Sequence, residues 1–401
     1  MTSTRATTAS AWFVVLGGIS AALHTAKLAP AIPALQRDLG VSLVTSGVLL
    51  SLMLLASALT AVVVGLLVER FGLRRSQLTG LVLLSVAGLA GGFAPGEGVL
   101  LALRAVEGIG FLLATVPAPA LIRRLVAPDR LTRTLGVWGG FVPIGSAVAL
   151  LVGAGLIAAW GWSGWWWLTA AVSAVAAALI AALVPADPPS TTPASLSAVH
   201  RRAAETLTHR APWLLALAFL CYSAQWLAVV GFLPSIYAAS GWGGTTVAVL
   251  SALVALSNVA GNIGAGYALH HGVRPSTTLL VGYTAMALGA FLAFGTPTSG
   301  TPLAQFAGAV LFSTLGGLIP GTLFALAPRL APSEPTISTT VGWMMQLSAV
   351  GQLGGPPFVA WLATLAGGWQ FTWVATGTAS VLGAVLALTL GAHAAHRSAS
   401  P

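Results

Sequence analysis

Twelve apolar stretches, each close to the length that crosses a bilayer, follow one another along this chain with few charges between them. They run near 11–35, 43–67, 76–95, 99–122, 135–159 and 164–184, then 212–238, 244–268, 276–295, 302–326, 337–365 and 370–391. A helix rises about 1.5 Å per residue and the hydrocarbon core is about 30 Å thick, so roughly 20 apolar residues span it. Charged residues make up 6% of the 401 and hydrophobic residues 57%, whereas an ordinary soluble chain carries roughly 25% charged residues. The 17 basic and 8 acidic side chains cannot coat a soluble surface of this size, and the chain is far too apolar for disorder. The stretches also lack the roughly ten-residue alternating segments of outer-membrane strands. The reading is an all-α membrane protein with 12 transmembrane helices and membrane lipid as the solvent of its outer surface.

One long polar stretch interrupts the series, Pro185 to Ala211, with Asp187, Arg201, Arg202, Glu205 and Arg210. It reads as a cytoplasmic linker, 185–211, between an N-terminal six-helix bundle over 1–184 and a C-terminal one over 212–401. Basic residues set the orientation. With both termini in the cytoplasm, 14 of the 17 fall inside, Arg37 alone falls outside, and Lys27 and Arg104 lie within spans. The expected location is the inner (plasma) membrane, multi-pass. Arg5 followed by a long apolar stretch without a clear cleavage site reads as the first span rather than a removable signal. The net charge of +9 has no soluble face on which to cluster, so no nucleic-acid partner is expected. Cys221 is the only cysteine, which excludes an intrachain disulfide. A monomer is expected.

The two halves repeat each other. Pro33 and Gly40 correspond to Pro234 and Gly241 at an offset of 201, and Gly72-Leu73-Arg74 to Gly272-Val273-Arg274 at 200. Trp138 matches Trp343 at 205, and Gly161-Trp162 matches Gly368-Trp369 at 207. The slow drift is what loop insertions in a tandem duplication produce.

The loop between the second and third spans reads Gly65-Leu66-Leu67-Val68-Glu69-Arg70-Phe71-Gly72-Leu73-Arg74-Arg75. It resembles the signature loop of the major facilitator superfamily, G-x-L-x-D-R-x-G-R-[KR]-[KR], with Glu69 for the usual Asp and Leu73 where a basic residue is common. In the fourth span Arg104-Ala105-Val106-Glu107-Gly108-Ile109-Gly110 resembles the family's R-x-x-Q-G-x-G pattern, with Glu107 for Gln. Gly136, Gly140, Pro143 and Gly145 stand at spacings other than those of the span-five motif of drug antiporters, which points away from drug/proton antiport. At the level of overall length and span pattern the chain is loosely similar to the cyanate-type small-anion permeases. The resemblance implies two pseudo-symmetric six-helix bundles rocking about a central site. It also implies a conformational latch built from Gly65, Glu69, Arg70, Gly72, Arg74 and Arg75.

Candidate chemistry comes from polar groups inside the spans. Lys27 is the only lysine and lies nine residues before Gln36, farther than a lysine stem reaches, so its charge faces a cavity or partner unless Pro30 and Pro33 break the helix early. His24 lies three residues earlier on nearly the same face and suits proton exchange near neutrality; a neutral ring donating to a backbone carbonyl is the alternative. Glu107, one turn beyond Arg104, either neutralises it or acts as a protonatable group that frees and captures it. Tyr222, Gln225 and Trp226 share a face of the seventh span, and the repeat makes Gln225 the counterpart of His24. Asn258 and Asn262 are one turn apart in the eighth span, Trp343 and Gln346 share a face of the eleventh, and Trp138 is the fifth-span counterpart of Trp343. Each of these also has a bland use, as an interhelical hydrogen bond or an interfacial aromatic.

No phosphate loop, catalytic triad or metal constellation appears, so neither an enzyme nor a cofactor is expected. Two cations and one anion inside the spans (Lys27, Arg104, Glu107) leave a net +1, which favours a small anionic solute moved by alternating access, by proton coupling or by exchange. The competing reading is a proton-driven exporter of neutral or cationic amphiphiles, with Glu107 as the proton-linked acid and the tryptophans as an apolar wall. A sensor or other non-transporting protein lacks a soluble output domain here.

Overall fold

The computed structural model describes residues 2–41, 43–188, 196–239, 244–298 and 300–399, and among these every regular element is helical. Lipid offers no hydrogen-bonding partners, so a chain of this composition must satisfy its backbone within helices. The first half holds α1 (Thr2–Ala26), α2 (Ile32–Leu39), α3 (Leu43–Phe71), α4 (Leu73–Gly91), α5 (Glu97–Thr115), α6 (Ala118–Leu125), α7 (Pro128–Gly139) and α8 (Phe141–Leu183). Next comes α9 (Leu196–Thr208), which lies in the stretch between the halves. The second half holds α10 (Arg210–Ala239), α11 (Gly244–His270), α12 (Pro275–Phe294), α13 (Pro302–Gly316), α14 (Leu318–Leu330), α15 (Ile337–Ala366) and α16 (Thr372–Ala399).

By length and apolarity ten stretches qualify as membrane spans. The two expected spans outside that set correspond to α4, which opens on Arg74, Arg75 and Gln77, and α15, which carries Gln346 and Gln352 mid-helix. Of these side chains Gln77 is buried and donates to the Val14 carbonyl at 3.1 Å, Gln346 and Gln352 are half-buried, and Arg75 is exposed. Span four is α5 followed by α6, and span ten is α13 followed by α14; each breaks midway, at Val116-Pro117 and at Gly317. The expected boundary between spans five and six is a kink inside α8, where Gly161 takes φ +69°. Gly72 and Gly272, matched in the sequence, both take positive φ, +100° and +83°, which glycine adopts without strain. Gly241 lies outside the described residues, as does the side chain of Glu69.

Within the first half, α1 packs on α8 and α5, and α4 on α5 and α8; within the second, α10 packs on α15 and α16, and α12 on α13 and α16. The halves meet along α3 against α15, and along α7 and α8 against α11. Outward-facing apolar side chains such as Leu59, Phe93 and Val381 remain largely exposed, the surface that lipid covers.

Candidate transport site

A carboxylate buried between three helices gathers four of the expected residues. Glu107 Oε1 accepts from Lys27 Nζ at 2.5 Å and lies 3.0 Å from His24 Nδ1, while Oε2 accepts from Arg104 Nη1 at 2.7 Å. All four side chains are at most 1% exposed. Arg104 Nη1 also donates to the His24 carbonyl at 2.7 Å, fixing α5 against the end of α1. Lys27 Nζ sits 4.7 Å from the centre of the Trp166 ring, and Trp165 Nε1 donates to the Lys27 carbonyl at 2.9 Å. The helix α1 stops at Ala26, and Ala29–Ala31 form a 3-10 turn at Pro30, so the lysine occupies the helix end and its stem turns inward instead of reaching toward Gln36. Charges at this depth are tolerated only when paired.

A second cluster belongs to the other half. Tyr222 Oη donates to Asn258 Oδ1 at 3.2 Å, Asn258 Nδ2 to the Ser313 carbonyl at 2.7 Å, and Asn262 Nδ2 to Asn258 Oδ1 at 2.9 Å. Trp226 Nε1 donates to Ser313 Oγ at 3.3 Å. The hydroxyl of Ser313 gave no signal in the sequence, being one of many serines in apolar helices.

Between the halves lies a cavity lined by Tyr222 and Trp226 together with Phe111, Phe141, Phe219 and Phe324, with Met53, Met345, Thr25, Ser57, Ser348 and Gln352 completing much of its wall. No charged side chain lines it among the described residues. An aromatic chain frames it: Phe219 meets Phe324 edge-on at 5.5 Å and stacks on Tyr222 at 6.1 Å, and Tyr222 stacks on Trp226 at 6.5 Å. Thr25 follows His24, and Phe111 lies one turn beyond Glu107, so one layer of side chains separates the ion cluster from the cavity.

The other expected residues sit elsewhere. Trp138 is fully buried and stacks on Phe141 at 4.5 Å, behind the wall. Trp343 packs edge-on against Trp213 at 4.7 Å. Gln346 Oε1 accepts from the Val62 backbone N–H at 3.0 Å, joining α15 to α3. Gln225 turns toward α16, where Ser380 Oγ donates to its Oε1 at 2.9 Å.

On the side of the cavity nearer the basic loops the halves close on each other. A Cβ on Gly136 would lie 2.6 Å from Gly266 Cα, one on Gly139 2.9 Å from Gly321 Cα, and one on Gly65 2.7 Å from the Ser338 carbonyl oxygen. Arg329 Nη2 donates to Thr132 Oγ1 at 2.9 Å, and Arg123 pairs with Glu334 at 3.3 Å, both across the halves. Beside this seal Asp187 receives the backbone N–H groups of Arg74 at 3.1 Å and Arg75 at 2.9 Å, and the Arg124 guanidinium at 2.8 Å. Partial burial pushes the Asp187 carboxyl up, but the two N–H groups and Arg124 outweigh it and hold the group below the usual carboxylate range. Asp187 was legible only as a linker acid; its capture of the signature loop comes from the fold.

The profile described as Major Facilitator Superfamily matches residues 14–351. The tetracenomycin C resistance and export protein of Streptomyces glaucescens is 30% identical over 149 residues, covering 37% of this chain and 28% of that protein. A chloramphenicol efflux pump of Mycobacterium tuberculosis is 35% identical over 176 residues, 40% of this chain and 41% of the pump. The match thus spans only about a quarter to two fifths of each relative's length. Among solved structures, the human organic anion transporter MFSD10 aligns with a TM-score of 0.79 at 17% identity, over 96% of this chain and 99% of that one. The proton:xylose symporter XylE aligns at 0.75 and 15%, over 97% and 96%. These two likenesses show the fold. The two curated relatives are drug-export proteins rather than small-anion permeases, so the span-five departure does not separate this chain from such proteins. Close helix approach is kept there at other spacings: Gly136 and Gly139 face the second half and Gly145 faces Ala22 of α1.

Proposed function

The chain belongs to the Major Facilitator Superfamily, and on that premise we propose that this secondary transporter exports uncharged or cationic aromatic compounds in exchange for protons. One observation carries the proposal: the central cavity is lined by aromatic rings and two methionines and, among the described residues, by no charged side chain, because Lys27 and Arg104 pair with Glu107 behind its wall. Flat apolar molecules gain area burial and ring contacts on such a wall. An anion entering it would shed its hydration with no cation facing it. Aromatic faces do accommodate a cation, through their quadrupole. The functions for which the two relatives are named, export of tetracenomycin C and efflux of chloramphenicol, support that substrate class.

Alternating access supplies the mechanism. The cavity is sealed at the basic-loop end by the Gly136–Gly266 and Gly139–Gly321 approaches. With those loops in the cytoplasm of a plasma membrane, as the positive-inside bias favours, a seal at this end belongs to an outward-facing state. Asp187 and the loop around Gly72, Arg74 and Arg75 form the latch that steadies it. Proton exchange at the His24–Glu107–Lys27–Arg104 cluster biases the rocking, since a change of one charge unbalances a buried set that the closed site must then accommodate.

A second reading, a small anion, is favoured by one observation: the cluster carries two cations to one carboxylate, and Arg104 Nη2 has no partner among the described residues. Uptake into proteoliposomes separates the two. A panel of ethidium, chloramphenicol and radiolabelled cyanate and acetate is run with and without an imposed pH gradient. Gradient-driven movement of ethidium or chloramphenicol supports export of aromatic compounds; movement of the anions alone overturns it.

A further inference from the structure

The buried cluster does not end at His24. Its Nε2 lies 2.9 Å from Ser173 Oγ on α8, and that oxygen lies 2.8 Å from Ser20 Oγ, one turn back along α1. All of these groups are buried, Ser173 completely and Ser20 to 2% exposure. On the other side of the ring, Nδ1 is within reach of both Lys27 Nζ at 3.2 Å and Glu107 Oε1 at 3.0 Å. Either neutral tautomer is therefore fully bonded. With the proton on Nε2 the ring donates to Ser173 and accepts from Lys27; with it on Nδ1 the ring donates to Glu107 and accepts from Ser173. The charged and titratable groups facing the ring are Lys27, Arg104 and Glu107; α8 presents only the hydroxyl of Ser173.

The second half holds the same arrangement without the chemistry. Gln225 is the repeat counterpart of His24, and Ser380, which donates to it at 2.9 Å, stands 207 residues after Ser173, the offset of the Gly161/Gly368 pair. An amide can satisfy the serine but cannot hand a proton through.

We infer that His24, Ser173 and Ser20 form a proton relay inside the first half, which carries the coupled proton between the Glu107 cluster and the basic-loop face, apart from the substrate cavity. The inference rests on the proton-coupled reading above. In one passage an N–H bond of Lys27 breaks as His24 Nδ1 gains the proton. The Nε2–H bond breaks as Ser173 Oγ gains that proton and gives its own to Ser20 Oγ, whose hydroxyl proton passes to water from the basic-loop side when that side opens. Lys27 is left neutral until a proton from the gradient refills it, so one positive charge has moved from the cluster to that water. Farther along, the polar groups are Gln77, whose Oε1 has no partner among the described residues, and Ser76, whose buried hydroxyl has none; Ser76 lies one residue from the Arg74-Arg75 pair of the basic loop. Ile180 and Leu81 pack with Gln77 around Gly17, one turn from Ser20, so the path is shut there in this state, as coupling without leak requires.

The test needs no substrate. Transient currents after a pH jump are recorded on supported membranes bearing the full-length protein, for wild type, Ser173→Ala, Ser173→Thr and Ser380→Ala. The relay predicts that Ser173→Ala slows the transient at least ten-fold, that Ser173→Thr restores it, and that Ser380→Ala, the same deletion in the half without histidine, leaves it unchanged. Equal slowing in Ser173→Ala and Ser380→Ala, or none in either, overturns the relay. A wild type without any transient overturns it along with proton coupling. Normal transients beside silence in the aromatic uptake panel would sink the proposed substrate class and leave the relay standing.

Discussion

Replacing Glu107 by Gln tests whether the cluster is a closed, dry ion site. Among the described residues Glu107 is the sole anion within contact of both Lys27, at 2.5 Å, and Arg104, at 2.7 Å, and all three are at most 1% exposed. Breaking a buried pair by removing one partner costs about 3–5 kcal/mol, because the remaining charge is left uncompensated; here two cations remain, so Glu107→Gln belongs at the upper end. Lys27→Met is the opposite perturbation. It leaves Arg104 and Glu107 as a one-to-one pair and puts a side chain of similar length against the Trp166 ring, 4.7 Å from where Nζ sat. Its expected cost is under about 1 kcal/mol, and it can stabilise. The double variant should recover at least ~1 kcal/mol relative to Glu107→Gln alone, since it removes one of the stranded cations. Thermal unfolding of the four purified proteins in one detergent, at one scan rate, ranks them. Lys27→Met as damaging as Glu107→Gln, or Glu107→Gln as stable as wild type, would refute the reasoning. Substrate binding by Lys27→Met adds a second discrimination: a lysine that bound an anionic substrate would take equilibrium binding with it, whereas one that only passes a proton would lose gradient-driven uptake and keep binding.

Trp226→Ala, which strips a ring from the cavity wall, should raise KM for an aromatic substrate about ten-fold or more, roughly 1.5–3 kcal/mol of lost burial; Trp343→Phe, against Trp213 and off that wall, should leave KM within about two-fold, and both are read from initial uptake rates. Asp187→Asn should lower stability by ~1 kcal/mol at neutral pH, discounted for the partial exposure of Arg124. Since the carboxyl is held below its ordinary range, its contribution is full above the ordinary carboxylate pKa and fades as the pH falls through the lowered one. Unfolding midpoints of wild type and variant should therefore converge only at strongly acid pH, and parallel curves from pH 7 to 3 with no difference between them would contradict the latch. Gly136→Val places a side chain where even Cβ would lie 2.6 Å from Gly266 Cα, so the basic-loop seal should open. In a Cys221→Ala background, labelling of Ser348→Cys by an impermeant maleimide from the outer side should drop several-fold.

Much of this protein could be read without coordinates. Apolar length and the scarcity of charge dictate helices in lipid, and the offsets near 200 are the basis for expecting two halves. Lys27, His24, Arg104 and Glu107 stood out because ionisable groups are expensive in a membrane and therefore few. Their convergence was not legible. Lys27 and Glu107 are 80 residues apart, and only the crossing of α1, α5 and α8 decides that both cations face one carboxylate instead of the cavity. The wall of that cavity was equally hidden: Phe219 and Phe324 read like any residue facing lipid, because in a bilayer both faces of a helix are apolar and no periodicity marks the inward one. Ser173 and Ser380 are indistinguishable as sequence, and it is the histidine opposite one and the glutamine opposite the other, brought within 2.9 Å by packing, that gives two identical residues different chemistry.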